Sequence, residues 1–320
     1  MSRGRPLASD DDAFYGHIIG NSGFAGGAMN LGRRNLLGLA YMAPALLFVA
    51  VFVLYPFGQL IYTSFTDASL LGGGKWVGAA NYVRIFTGDP QFWKALWFTL
   101  KYTVIITPVL MGLGYALALL TAQNDRVLQF ARGVIFMPVV IGLGTSSLLW
   151  FWLFDQQVGL FDKALVDLHI ANSMIVWFTN ADWALWAVII SVTWKVVGFG
   201  MILFVAAIQS ISREVVEASQ IDGAGYWQRV SMIYAPLTLR TVLLVTLISA
   251  IGSMLAFEQL YIMTGGGPRG LTFTSVYWIY QSAFIKFQLG YGSALAIVLT
   301  AIITIAAAIQ IFLTSRSAPQ

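Results

Sequence analysis

Long apolar runs, separated by polar or mixed segments, make up most of this chain. They cover Leu36 to Phe57, Trp97 to Leu120, Val134 to Phe154, Trp183 to Ile208, Leu239 to Met263 and Tyr291 to Leu313. Each holds about 20 residues or more, enough to cross roughly 30 Å of hydrocarbon at about 1.5 Å per residue. The pattern predicts an all-α polytopic membrane protein with six transmembrane helices in a domain spanning 36–315. The run from Leu36 is longer than a signal-peptide core, so it reads as span one and not as a cleaved leader. Residues 1–35 are polar and glycine-rich, carry Asp10-Asp11-Asp12 and end in Arg33-Arg34. They hold too little apolar surface to fold alone and are expected to be a disordered tail.

One polar island is out of character. Residues 209–238 lie between spans four and five, and Glu217 to Leu237 reads EASQIDGAGYWQRVSMIYAPL. Ser212 stands where an N-cap belongs, Glu214 and Glu217 occupy the first turns, and Val215, Ala218 and Ile221 recur at helical spacing. The Asp222-Gly223 dipeptide ends that helix, and a second apolar stripe through Tyr226, Val230 and Ile233 runs to Pro236. The segment is therefore expected to form a bent pair of short helices with small residues at the crook.

Composition narrows the class. With 58% hydrophobic and 10% charged residues, the chain is too apolar for a soluble fold. Its net charge of +4 is dispersed, with no basic run among exposed aromatics, so no nucleic-acid partner is expected. There is no cysteine, and the two histidines, His17 and His169, are far apart, which leaves no catalytic or metal-ligating set. Gly74-Lys75 is not a phosphate-binding loop, because Ser69 stands where the first glycine would be and Trp76 follows the lysine. ATP hydrolysis is thus not expected here. With the amino terminus inside, segments 1–35, 121–133, 209–240 and 314–320 hold most of the arginines, among them Arg33, Arg34, Arg126, Arg132, Arg213, Arg229 and Arg240. By the positive-inside rule the polar island is then cytoplasmic.

Glu217-Ala218, Asp222-Gly223-Ala224, Ile233 and Pro236, at their spacing, resemble the EAA motif of ABC-importer permeases, with Ser219 where a second alanine is usual. The strings SFTDASL, WVGAANYVRIF, DPQFWKAL, TGGGP and LGYGSALA, in that order, are similar to those of the maltose-type, first-permease branch of the carbohydrate importers. The resemblance implies a non-catalytic permease subunit in the bacterial inner membrane, its elbow acting as the coupling helix between spans four and five. The coupling residues would be Glu217, Ala218, Ser219, Asp222, Gly223, Ala224, Ile233 and Pro236. It further implies an ATPase dimer holding the ATP and magnesium, a second homologous permease, an external solute-binding protein and a lipid surround. The cargo would be a carbohydrate, a polyol or a sugar derivative.

Of the charges within the predicted spans, Lys195 and Glu258 lie deepest. Lys195 lies roughly 18 Å into span four by helix rise, where an unpartnered lysine costs about 2.5–3.5 kcal/mol. Either it lines the substrate path or it bonds a neighbouring helix. Glu258, near the outer end of span five, either meets sugar hydroxyls or a binding protein, or contacts headgroup water at the interface. Trp194 and Tyr261 read either as sugar-stacking rings or as packing residues. A self-sufficient secondary transporter or channel is the alternative, but it calls for acidic relays within the spans, and only Glu258 and Lys195 are available.

Overall fold

The computed structural model describes residues 41–155, 159–169 and 175–317. The proposed tail, and the first residues of span one, lie outside them. Two units divide the chain at Gln59/Leu60. In the first, residues 41–59 are helical, with a π-helical turn over Ala50–Leu54 and the rings of Phe48 and Phe52 4.7 Å apart.

The second unit is helical, with one isolated bridge, Thr66 to Trp76, among the described residues. Numbering from the helix Tyr41–Ser64 as α1, the elements are α2 Ala80–Gly88, α3 Pro90–Thr121, α4 Arg126–Val140, α5 Leu143–Leu153, α6 Leu160–Asp167 and α7 Ala181–Gln209. There follow α8 Arg213–Ile221, α9 Tyr226–Leu237, α10 Leu239–Met254, α11 Glu258–Thr264, α12 Ser275–Tyr280 and α13 Leu289–Ser317. Among the described residues four helices are long and apolar enough to cross a membrane, or six if each of two bent pairs is one span.

The most buried of these is α7, apolar over most of its surface, as a helix surrounded by others must be. It lies along α3 and α4, and small residues let the backbones meet. A Cβ on Gly114 of α3 would stand 3.5 Å from the Met201 amide nitrogen, and one on Gly198 would stand 2.5 Å from the Ile135 carbonyl oxygen. Gly198 is thus a contact between backbones, the kind that holds membrane helices together where lipid offers no hydrophobic drive.

Two expected spans are interrupted. The run 134–154 is not one helix: α4 and α5 meet at 98°. Pro138 has no N–H for the helical ladder, and Ile141 and Gly142 turn extended (ψ 137° and 142°). The run 239–263 is likewise broken, since α10 stops at Met254 and α11 starts at Glu258. Here the Thr274 hydroxyl donates to the Ala256 carbonyl at 2.6 Å, taking an acceptor that the helix leaves free.

Asp89 fastens the start of α3 to elements nearly 200 residues away. One carboxylate oxygen accepts from the Gln91 and Phe92 amides (3.0 and 3.1 Å), capping the helix ahead of Pro90. The other accepts from Trp278 Nε1 at 2.8 Å and from the Tyr291 hydroxyl. Arg84 stacks over the Tyr291 ring and Lys286 over the Trp278 ring, at 4.0 and 3.9 Å. Burial opposes ionisation of Asp89, but the bonds from Tyr291, Trp278, Phe92 and Gln91 together outweigh it and hold its carboxyl below the usual range. A lowered folded-state pKa contributes stability above the unfolded value of about 3.9, and this is lost as pH falls through the folded one. Asp89→Asn should therefore cost about 1–3 kcal/mol near neutral pH. Thermal unfolding in detergent checks it: the gap from wild type should close on acidification, and a gap independent of pH would contradict the assignment.

Candidate coupling elbow and substrate cavity

The polar island folds as α8, a turn and α9. Ser212 is extended, as an N-cap should be, but its side chain makes no capping bond. At the other end α8 closes in a Schellman arrangement: the Ala224 amide donates to the Ser219 carbonyl at 2.9 Å and the Gly223 amide to the Gln220 carbonyl at 3.1 Å. Gly223 has φ +77°, which only glycine adopts without strain. A Cβ there would touch nothing within 4 Å, so the space at the crook is open. The Gly225 amide then donates to Gln228 Oε1 at 2.8 Å as α9 begins. Its turn over Val230–Tyr234 widens to π geometry, with the Ala235 amide reaching back to the Val230 carbonyl. This accommodates Pro236, which has no N–H to give.

α9 meets α10 at a 69° bend. Thr238 sits buried at the corner, donating to the Tyr234 carbonyl at 2.7 Å and paired with the Tyr115 hydroxyl at 3.0 Å. The elbow is thus braced at one end and bare along its length. No residue of α8 or α9 is buried, Glu217 and Asp222 are exposed, and Ile221, Trp227 and Met232 are 86%, 76% and 74% exposed. Apolar side chains this bare on a polar segment mark an interaction surface. Ala218, Ser219, Ala224 and Ile233 supply its small and intermediate positions.

Lys195 is 9% exposed and donates from Nζ to the Val139 carbonyl at 3.3 Å, one of the free carbonyls at the end of α4. Glu258 lies on the other side of the same break, where a Cβ on Gly144 would fall 2.5 Å from its Oε1, beside the first turn of α5. A cation therefore serves a helix C-terminus and an anion a helix N-terminus, each against the dipole end that favours it. The two charges also lie within electrostatic reach of one another. Trp194 packs edge-on against Trp150 (centroids 5.7 Å apart), and Tyr261 joins Phe257, Tyr277 and Tyr280 in an aromatic cluster.

A cavity of about 230 Å³ lies between α3, α7, α10 and α11. None of Trp194, Lys195, Glu258 and Tyr261 lines it, but Val196 and Gln259, next in sequence to two of them, do. Gln259 is buried, shares the cavity wall with Tyr102, and its Oε1 has no hydrogen-bond partner. Ser253, also at the wall, donates to Thr103 Oγ1 at 3.0 Å. The sequence reading passed over Gln259. The available signal was an uncharged amide placed beside a charged residue within an apolar run.

The fold sets the class first. It superimposes on a bacterial ABC transporter involved in the import of the acidic polysaccharide alginate with a TM-score of 0.79, covering 90% of this chain and 98% of that one at 20% identity. The two chains share one fold. Residues 111–318 match the binding-protein-dependent transport system inner membrane components, and the chain belongs to that family. It is 33% identical over 276 residues to the sulfoquinovosyl glycerol transport system permease SmoG of Agrobacterium fabrum, covering 86% of this chain and 88% of that one. It is 31% identical over 283 residues to the lactose transport system permease LacF of Rhizobium radiobacter, covering 86% and 93%.

The broken span yields a direct test. Lys195→Met and Glu258→Gln should each lower the unfolding temperature in detergent, at a cost of about 1–3 kcal/mol. The charge-swapped double variant, Lys195→Glu with Glu258→Lys, should not recover it, since each new charge then faces a helix end of its own sign. Recovery would show that the two side chains serve only each other.

Proposed function

We propose that this chain is the permease subunit of an importer for a carbohydrate or a related polyol or sugar derivative, driven through the α8–α9 elbow by a cytoplasmic ATPase dimer. The exposed elbow, closed at Gly223 and braced at Thr238, is the observation that carries the reading. The chain lies in the inner membrane with its amino terminus in the cytoplasm, residues 1–35 forming a tail and 36–315 the permease domain. A second, homologous permease completes the path, and a solute-binding protein delivers cargo from outside. ATP and magnesium belong to the ATPase.

Closure of the ATPase dimer would press on Glu217 to Pro236, with Gly223 and the small residues beside it admitting a close partner. Because α9 is continuous with α10 through the Thr238 corner, tilting the elbow would tilt the wall of the cavity. Coupling requires that the elbow dock with different free energy in the inward and outward states, since equal docking shifts nothing. Gln259 Oε1 would accept a bond from a sugar hydroxyl. The cavity's volume is below the ~300 Å³ usual for small-molecule sites. One sugar ring is the fitting occupant, and a longer substrate extends towards the second permease.

A Cβ at Gly223 meets nothing within 4 Å, so Gly223→Leu should cost only about 1–2 kcal/mol of local strain. It should leave the protein inserted and folded, yet reduce solute-stimulated ATP hydrolysis of the assembled importer at least tenfold. Unchanged stimulated hydrolysis would refute docking at the crook. Gln259→Leu should instead weaken uptake of the sugar while basal ATP hydrolysis persists. Equal loss of both would assign Gln259 a structural role.

A further inference from the structure

A second cavity, of about 370 Å³, lies behind the elbow, between the ends of α3 and α7 and the inner faces of α8 and α9. One wall is apolar, through Ile208 and Val216; the other is polar, through Gln209, Gln220, Tyr226 and Arg229. No carboxylate lines it. Arg229 Nε is buried and has no hydrogen-bond partner. Arg132 reaches the rim by donating to the carbonyl of Gln123, itself a lining residue, at 2.6 Å, and its Nε is also buried and unpartnered. The ion pair found among the described residues joins Lys101 to Asp182 and involves neither arginine.

Two helix C-termini point towards the cavity, and their negative ends are the competing influence. Each carries about half a negative charge, and the two guanidiniums together carry about two positive ones. The α3 terminus is moreover capped: Gln209 Nε2 donates to the Ala122 carbonyl at 2.8 Å, and Arg132 covers Gln123. The balance is positive, and the Arg229 side chain lines the cavity. Forked guanidinium donors of this kind match the oxygens of a phosphate group.

We infer that this cavity is an anion site that takes a phosphate group, supplied either by the headgroup of an anionic phospholipid or by free phosphate. The site lies where α3 and α7 end, and the orientation proposed above makes that level the cytoplasmic membrane surface, where anionic lipids concentrate. The Ile208 and Val216 wall suits the glycerol and upper acyl carbons of a lipid. A phosphate held there links Arg229 on the elbow to the region of Arg132 on α4, and so stiffens the elbow against the body of the chain.

The test uses the full-length chain in phosphatidylcholine nanodiscs, with and without phosphatidylglycerol, and separately with inorganic phosphate. The readouts are the thermal midpoint and the phospholipid retained in native mass spectrometry. Phosphatidylglycerol should raise the midpoint by a few degrees, on the order expected for a ligand well above its dissociation constant, and should be retained at about one molecule per chain. Arg229→Gln should abolish both effects, and Arg229→Lys should keep part of them. Arg213→Gln removes the same charge from the same side of the membrane but outside the cavity, and it should keep both. A midpoint shift with inorganic phosphate alone supports the site and assigns the free ion as its occupant. No response to either compound overturns the inference, as does equal loss in the Arg213 and Arg229 variants, which would reduce the effect to general surface attraction. The assay needs no ATPase, so it stays readable if the importer assignment fails.

Discussion

A backbone carbonyl or amide that loses its helical partner in hydrocarbon costs several kcal/mol unless another group takes its place. This chain breaks its helices repeatedly, and polar side chains stand at the breaks. Lys195 reaches the α4 carbonyl of Val139, and Thr274 the carbonyl of Ala256. Asp89 takes two amides at the start of α3. Helix breaks are the feature a moving transport path needs, and these few residues make them tolerable in a membrane. Around them the contact of α7 with α3 and α4, close enough at Gly198 that no side chain fits, supplies a fixed frame.

The structure divides along the same lines. Where the chain is braced it holds a cavity with the buried Gln259 at its wall. Where it is bare, on α8 and α9, it exposes Ile221, Trp227 and Met232. The Thr238 corner joins α9 to α10, so in the proposed importer a displacement of the elbow would pass to the cavity wall.

The parts legible in the sequence are those dictated by length and local chemistry. Runs of about 20 apolar residues announce spans, and Asp222-Gly223 announces the crook because positive φ is cheap only for glycine. The 98° bend between α4 and α5 was not legible, since hydropathy continues unbroken through Ile141 and Gly142 and Pro138 alone does not specify an angle. Nor was the partner of Lys195, a carbonyl 56 residues away. Its structural reading and its path-lining reading needed a third dimension to separate them. Gln259 passed unseen for a related reason: one amide in an apolar run carries no periodic signal, and only its place at the cavity wall distinguishes it. The string containing Asp89 was recognisable as a resemblance, but the aromatic partners that make it a junction, Trp278 and Tyr291, come from a distant part of the chain.

Because the chain has no cysteine, a single introduced thiol reports on one position alone. Ile221→Cys, at the end of α8, and Leu71→Cys, equally exposed but in the segment between α1 and α2, would be labelled with a membrane-impermeant maleimide in nanodiscs that expose both faces. Labelling would be timed for the chain alone and for the importer assembled with its ATPase. The account predicts fast labelling of both positions in the isolated chain and, on assembly, protection at 221 but not at 71. Undiminished labelling at 221 in a complex that hydrolyses ATP would contradict the claim that the elbow is the docking surface.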